Sequence, residues 1–268
     1  MMRKPFVAGQ FYPSRAAELR AMIKGMIDPR ARKEKAIAIV SPHAGYIYSG
    51  PVAGAVFSSV ELPRTCVILG PAHREIASMF AIQRSGSWST PLGEASVEMG
   101  LADAIMRSDP LVKEDASAHL HEHSLEVQVP FLQFFNGDIA IVPVCVSCEA
   151  SYEDLAGLGK ALAEAIGGFG SDVLIVASTD MSHYISQEAA EKKDNLAIDR
   201  ILALDAEGLF KTVVRERISM CGFQPVTAAL AAANDLGAAK AELIRYQTSG
   251  DVTGDYREVV GYAGIRII

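Results

Sequence analysis

Residues 36–50, AIAIVSPHAGYIYSG, decide the reading of the chain. Five apolar residues run without alternation, Ser-Pro-His-Ala-Gly interrupts them, and a second apolar segment rich in small residues follows. An unbroken Ala/Ile/Val run marks a strand covered on both faces, as strands of a parallel sheet are. Pro42 and Gly45 stop the run and let the backbone turn. The small residues after them suit a helix packed closely on that sheet, so His43 falls where a buried strand gives out.

Working outward, the same alternation recurs. Strands are expected over 36–40, 65–69, 79–83, 140–146, 172–178, 241–247 and 259–267. Helices are expected over 15–27 with Ser14 as N-cap, 50–60, 95–107, 152–166, 187–204 and 224–236, the last closed by Gly237. Alternating β and α elements predict a largely parallel sheet with helices on both sides, hence one three-layer αβα domain over residues 1–268.

Composition narrows the functional classes. The chain has 268 residues, 50% of them apolar and 21% charged, as a well-packed soluble α/β protein has. A net charge of -7 and a pI near 5.4 argue against nucleic acid as partner, because phosphate-backbone binding leaves a basic footprint. No apolar run reaches the roughly 18 residues that a membrane span needs, so no membrane partner is expected. The opening MMRKPFVAGQFYPS lacks the apolar core of a signal peptide. Cys66, Cys145, Cys148 and Cys221 are too few for a disulfide framework and read as reduced thiols of a cytoplasmic protein.

Three expected strands end in a histidine. His43 follows 36–40, His73 follows 65–69 through Gly70-Pro71-Ala72, and Asp180 and His183 follow 172–178 in TDMSH. Ligands of open α/β sheets bind beyond the carboxyl ends of the strands, so these residues are delivered to the edge where such folds keep their sites. One such histidine alone is more often a hydrogen-bonded loop residue; three at equivalent places point to a histidine-based site. Asp180 either orients a histidine, acts as acid or base, or caps the next segment.

Other groups carry weaker signals. Cys221, in SMCGFQP ahead of an Ala-rich helix, is a small buried residue by default, although a helix N-terminus can stabilise a thiolate. HLHEHSLEVQ (119–128) has no apolar run to support a strand and reads as a loop-like, largely solvated cluster, with His123 and Glu126 as further candidates for the main site. Cys145 and Cys148 form a lone C-x-x-C, which without a second pair cannot complete a tetrahedral site, and read as core cysteines.

Taken in order, AGQFYP (8–13), PHAGYIYSG (42–50), ILGPAH (68–73), EHSLEVQVPFL (122–132), STDMSH (178–183) and CGFQP (221–225) resemble the Memo family. Its prokaryotic members are called AmmeMemoRadiSam system protein B. The resemblance implies a fold like that of class III extradiol dioxygenases, non-haem iron enzymes that hold Fe(II) with two histidines and a carboxylate. It implies metal ligands at His43, His73 and Cys221, with His183, beside Asp180, as the further histidine. A thiolate then replaces the carboxylate, a soft ligand that favours Fe(II), Cu or Zn over Mg or Ca. It also makes the centre oxidisable, so ring-cleaving activity does not carry over with the fold.

Three functions follow as expectations. The first is a metal-dependent redox enzyme using Fe(II), or else Cu or Zn, with His183, Asp180 and His123 handling protons. The second is a non-catalytic module that takes a phosphopeptide-like or small-molecule ligand in the same pocket, for which the acidic balance is unfavourable. The third is a hydrolase built on Cys221 or Ser182 with His183 and Asp180, made awkward by the adjacency of Ser182 and His183. The family's name further implies a radical-SAM partner in prokaryotes.

Overall fold

The computed structural model describes residues 1–268, and one twelve-stranded sheet runs through them. Its centre is four parallel strands in the order Ala140–Val146, Thr65–Pro71, Val173–Ser178 and Ala38–Ser41. Every residue of these four is buried, as their unbroken apolar sequences require. Antiparallel pairing joins this parallel centre at the flanks. Val259–Ile267 runs against Ala38–Ser41, Ala241–Thr248 pairs beyond it, and Phe80–Ile82 runs against Ala140–Val146. Parallel pairing also recurs outside the centre, where Gly93–Val97 joins Ala140–Val146, Phe80–Ile82 joins Val112–Glu114 and Met2–Arg3 joins Ser87–Thr90, so the sheet is a mixed one built around a parallel centre.

Alternating side chains build two cores. Val67, Leu69, Ile175 and Ala177 face the layer of helices Met99–Ser108, Tyr152–Gly167, Gln187–Leu202, Ala206–Glu216 and Phe223–Asp235. Cys66, Ile68, Leu174 and Val176 face helices Ala16–Met26, Tyr46–Ser58 and Val129–Phe135. Three layers result, with the sheet in the middle, the αβα architecture of the dioxygenase-like class. No helix is long and apolar enough to cross a membrane.

Several local expectations need correction. The helix expected over 95–107 begins at Met99, and Gly93–Val97 is a strand paired with Ser87–Thr90. Its Glu-Ala-Ser-Val alternation carries the period of a strand, which the Ala-rich residues after it obscure. Arg15, not Ser14, occupies the N-cap of the first helix, and no side chain caps it. Helix Ala206–Glu216, absent from the sequence reading, starts where the Asp205 carboxylate accepts the Gly208 N–H at 2.8 Å. Cys148 is exposed rather than in the core, whereas Cys145 is buried.

The largest correction concerns residues 119–128. His119, Glu122, Ser124, Leu125, Glu126, Val127 and Gln128 are all buried, and only His121 is exposed. The N-terminal segment is what covers them. Arg3 Nε donates to the His119 carbonyl at 2.6 Å, its Nη2 donates to the Glu122 carbonyl at 2.7 Å, and its Nη1 lies 2.8 Å from Glu126 Oε2. Glu126 also accepts from the N–H groups of Phe6 and Val7 and from the Tyr12 hydroxyl. Both charges are buried and fully hydrogen-bonded, the condition under which a buried ion pair is tolerated.

Removing one partner strands the other charge. Glu126→Ala should therefore cost about 3–5 kcal/mol in urea denaturation. A loss below about 1 kcal/mol, the scale of an exposed pair, would contradict this role for the clamp.

Candidate metal centre

Parallel strands end on the same edge of a sheet, so Ala38–Ser41, Thr65–Pro71 and Val173–Ser178 bring His43, His73, Asp180 and His183 together. These four, with His123 and Cys221, line one cleft of about 980 Å³. Of the candidates read from the sequence, these six therefore share one cleft. Glu126 is not in it: both its oxygens are turned away, into the Arg3 clamp.

His43 is buried, and its orientation is fixed by a hydroxyl. Ser178 Oγ donates to the Ser124 carbonyl at 2.7 Å and accepts from Gln128 Nε2 at 2.8 Å. Gln128 Nε2 is itself identified by the Pro42 carbonyl, an acceptor only, at 2.9 Å. A hydroxyl has a single proton, so the remaining bond, 3.0 Å to His43 Nδ1, has the ring as donor. His43 therefore carries its proton on Nδ1 and turns a bare Nε2 into the cleft. Burial, aided by the charges of His123 and His73, holds its pKa well below the usual imidazole value, so the ring is neutral at physiological pH.

His73 uses a carboxylate for the same purpose. Glu122 Oε2 accepts its backbone N–H at 2.8 Å and Oε1 takes the Nδ1 proton at 2.9 Å, while the Ser124 N–H donates to Oε1 at 2.7 Å. Burial opposes a charged Glu122, but these donors outweigh it and hold the carboxyl well below its ordinary range. Burial likewise lowers the pKa of His73, and the Glu122 bond and charge more than reverse that. A carboxylate on Nδ1 that leaves Nε2 free is how ligating histidines are commonly oriented.

His123 stacks on His73 with ring centroids 4.6 Å apart and tilts against Phe11 on its other side. Burial drops its pKa to about 4. Ligand atoms of His43, His73 and His123 lie within 4.8 Å of one another, close enough to share an ion. Cys221 Sγ is outside that trio but only 3.2 Å from His43 Nε2. Gly222 brings it there by packing on the sheet, where a Cβ would lie 2.3 Å from the Ser178 carbonyl oxygen. The Asp180 N–H donates to Sγ at 3.3 Å. Burial and the Asp180 carboxylate push the thiol's pKa up, a balance that a bound cation reverses.

Two groups remain. Asp180 Oδ1 accepts the His43 and Ala44 N–H groups at 2.7 and 3.3 Å, and burial lifts its pKa to about 6. His183 Nδ1 lies 2.8 Å from the Ser219 carbonyl, an acceptor only, so the proton sits on Nδ1 and Nε2 is free to take another. Ser182 is fully buried with its N–H on Asp194, which removes it as a nucleophile facing the cleft. Cys145 lies 3.4 Å from His119 Nδ1 in the core and has no part in the cleft. The sequence reading missed Glu122, Gln128 and Ser178, although all three stand in the motifs that surround the site.

If Glu122 sets the His73 ring, the isosteric Glu122→Gln should weaken Zn(II) affinity about 10–100-fold in competition with a chromophoric chelator. Unchanged affinity in a folded variant would show that His73 needs no such support.

Comparison with known proteins agrees with this architecture. The family described as Memo-like protein matches residues 3–266. A MEMO1 family protein of Methanothermobacter thermautotrophicus is 41% identical, covering 98% of this chain and 99% of its own. One from Methanococcus maripaludis is 42% identical over the whole of both chains. The crystal structure of an uncharacterized Escherichia coli K12 protein superposes with a TM-score of 0.54 at 14% identity, covering 84% of this chain and 98% of that one, a likeness of fold alone. Matches of this extent show that the chain belongs to the Memo family.

Proposed function

We propose that the protein is a metal-dependent redox enzyme in which His43, His73 and Cys221 hold one transition-metal ion, Fe(II) in preference to Cu or Zn. The observation that carries this reading is the commitment of both Nδ1 protons, His43 to Ser178 and His73 to Glu122, which leaves two Nε2 lone pairs facing the cleft. With Sγ 3.2 Å from His43 Nε2, the donors are two imidazoles and one thiol. That set is soft enough to prefer Fe(II), Cu or Zn over Mg or Ca and leaves positions open for a small-molecule ligand. When bound, such an ion supplies an oxidisable centre that polarises its ligand.

The chain's own residues do the remaining work. His183 Nε2 is the proton acceptor, its ring held by the Ser219 carbonyl. Asp180 keeps the His43 loop in register through two backbone N–H groups. His123, neutral with a pKa of about 4, is available to hydrogen-bond a ligand beside His73. All four cysteines are free, in keeping with a reducing compartment such as the cytoplasm, and a radical-SAM partner would fit an oxidative pathway.

A second reading replaces Cys221 by His123, favoured by the closeness of the three imidazoles. Anaerobically prepared Co(II) protein separates the two. A near-ultraviolet thiolate–cobalt band is expected in the wild type and in His123→Gln, and lost in Cys221→Ser. Absence of that band, with cobalt kept in Cys221→Ser and lost in His123→Gln, would assign the ion to the three histidines instead.

A further inference from the structure

The chemistry of the cleft changes between floor and mouth. At the floor stand the imidazoles and Cys221. None of its nineteen lining residues is Lys or Arg, although phosphate and carboxylate ligands are ordinarily gripped by guanidinium forks or ammonium groups. Three carboxylates line it instead, those of Asp180, Asp255 and Glu258. Asp255 is neutralised by Arg257, whose Nε and Nη2 donate to its two oxygens at 2.9 and 2.6 Å. Glu258, on the exposed loop just before strand Val259–Ile267, forms no ion pair. Asp180 is only 4% exposed, and while its Oδ1 holds two N–H groups, its Oδ2 has no protein donor.

Between floor and mouth the walls are aromatic, with Phe11, Tyr48, Tyr184 and Tyr262. Tyr262 is buried, whereas Tyr184 is 74% exposed and held at φ 57°, in the left-handed region that a bulky residue seldom occupies. Such backbone strain at a cleft wall is of the kind that persists at binding sites. Aromatic faces attract planar rings and cations and give a carboxylate or phosphate nothing to bind.

We propose that the cleft takes a ligand built from an aromatic ring and an ammonium group, the ring lying among Phe11, Tyr48 and Tyr262 and the ammonium group at Glu258, and that it rejects ring compounds of similar size bearing a carboxylate or phosphate. This deepens the metal-centre reading by naming what lies above the ion. The charge preference itself comes from the walls and does not need the ion. Specificity here is as much the absence of any anion anchor as the presence of Glu258.

Calorimetric titration of the metal-free chain at mildly alkaline pH, above the ordinary imidazole value, limits the charge on the imidazoles and leaves the walls to decide. The probes are tyramine, 4-hydroxyphenylacetate and O-phosphotyrosine. Tyramine should bind about tenfold more tightly than 4-hydroxyphenylacetate, the effect of reversing a ligand's charge beside one unpaired carboxylate, and O-phosphotyrosine should bind more weakly still. Glu258→Lys should bring the first two within about twofold of each other or reverse their order. The proposal is overturned if either anion matches tyramine, if tyramine does not bind, or if Glu258→Lys leaves the ratio unchanged. Metal uptake is measured on the same preparations. A preference for tyramine in protein that takes up no metal would sink the metal centre alone, and metal uptake without the preference would sink this inference alone.

Discussion

The centre depends on one buried segment, Glu122–Gln128, held between the ends of the central strands and the first twelve residues. Its first residue fixes His73 and its last fixes His43 through Ser178. Ser124 ties it to the Pro71 carbonyl, and the Tyr46 hydroxyl donates to the Val127 carbonyl. Between these lies Glu126, paired with Arg3, whose guanidinium stacks 4.2 Å over Trp88. A ring's lone pair is useful only if its direction is fixed before a ligand arrives. Here that direction is set by hydrogen bonds whose own partners are buried.

The sheet supplies the rest of the geometry. Parallel strands all point their carboxyl ends the same way, so three of them converge on one edge. An antiparallel flank closes the cleft. His183 pairs with Val260 across the sheet, and the loop ahead of Val259–Ile267 forms the acidic part of the mouth. Close approach matters too. A Cβ on Gly70 would lie 2.5 Å from Leu125, so the Gly-Pro before His73 lets the Glu122–Gln128 segment pack directly on the strand. The same logic at Gly222 seats Cys221 beside His43.

Much of this was legible in the sequence, and what was not has a common cause. The four central strands read correctly because burial on both faces leaves unbroken apolar runs, and His43, His73, Asp180 and His183 were found because each follows such a run. Cys221 gained its ligand role only through the motif resemblance, and His123 entered as a candidate from the histidine-rich stretch 119–128. Residues 119–128 were misread as solvated because their cover comes from Arg3 and Glu126's other partners, more than a hundred positions away. Glu122 looked like a surface acid for the same reason, since its partner His73 is 49 residues distant. Strand Gly93–Val97 went unread because its short alternation runs directly into the Ala-rich helix that begins at Met99.

The tautomers of His43 and His73 in the metal-free protein, measured at alkaline pH where the His73 ring, raised by Glu122, has also become neutral, test the central claim most directly. Nitrogen-15 NMR of the imidazoles distinguishes a protonated Nδ1 from a protonated Nε2. Protonated Nδ1 and bare Nε2 in both rings is the expected result, because Ser178 and Glu122 accept from the former. A proton on Nε2 of either ring, or an even mixture of the two tautomers, would contradict the idea that the fold aims these lone pairs in advance.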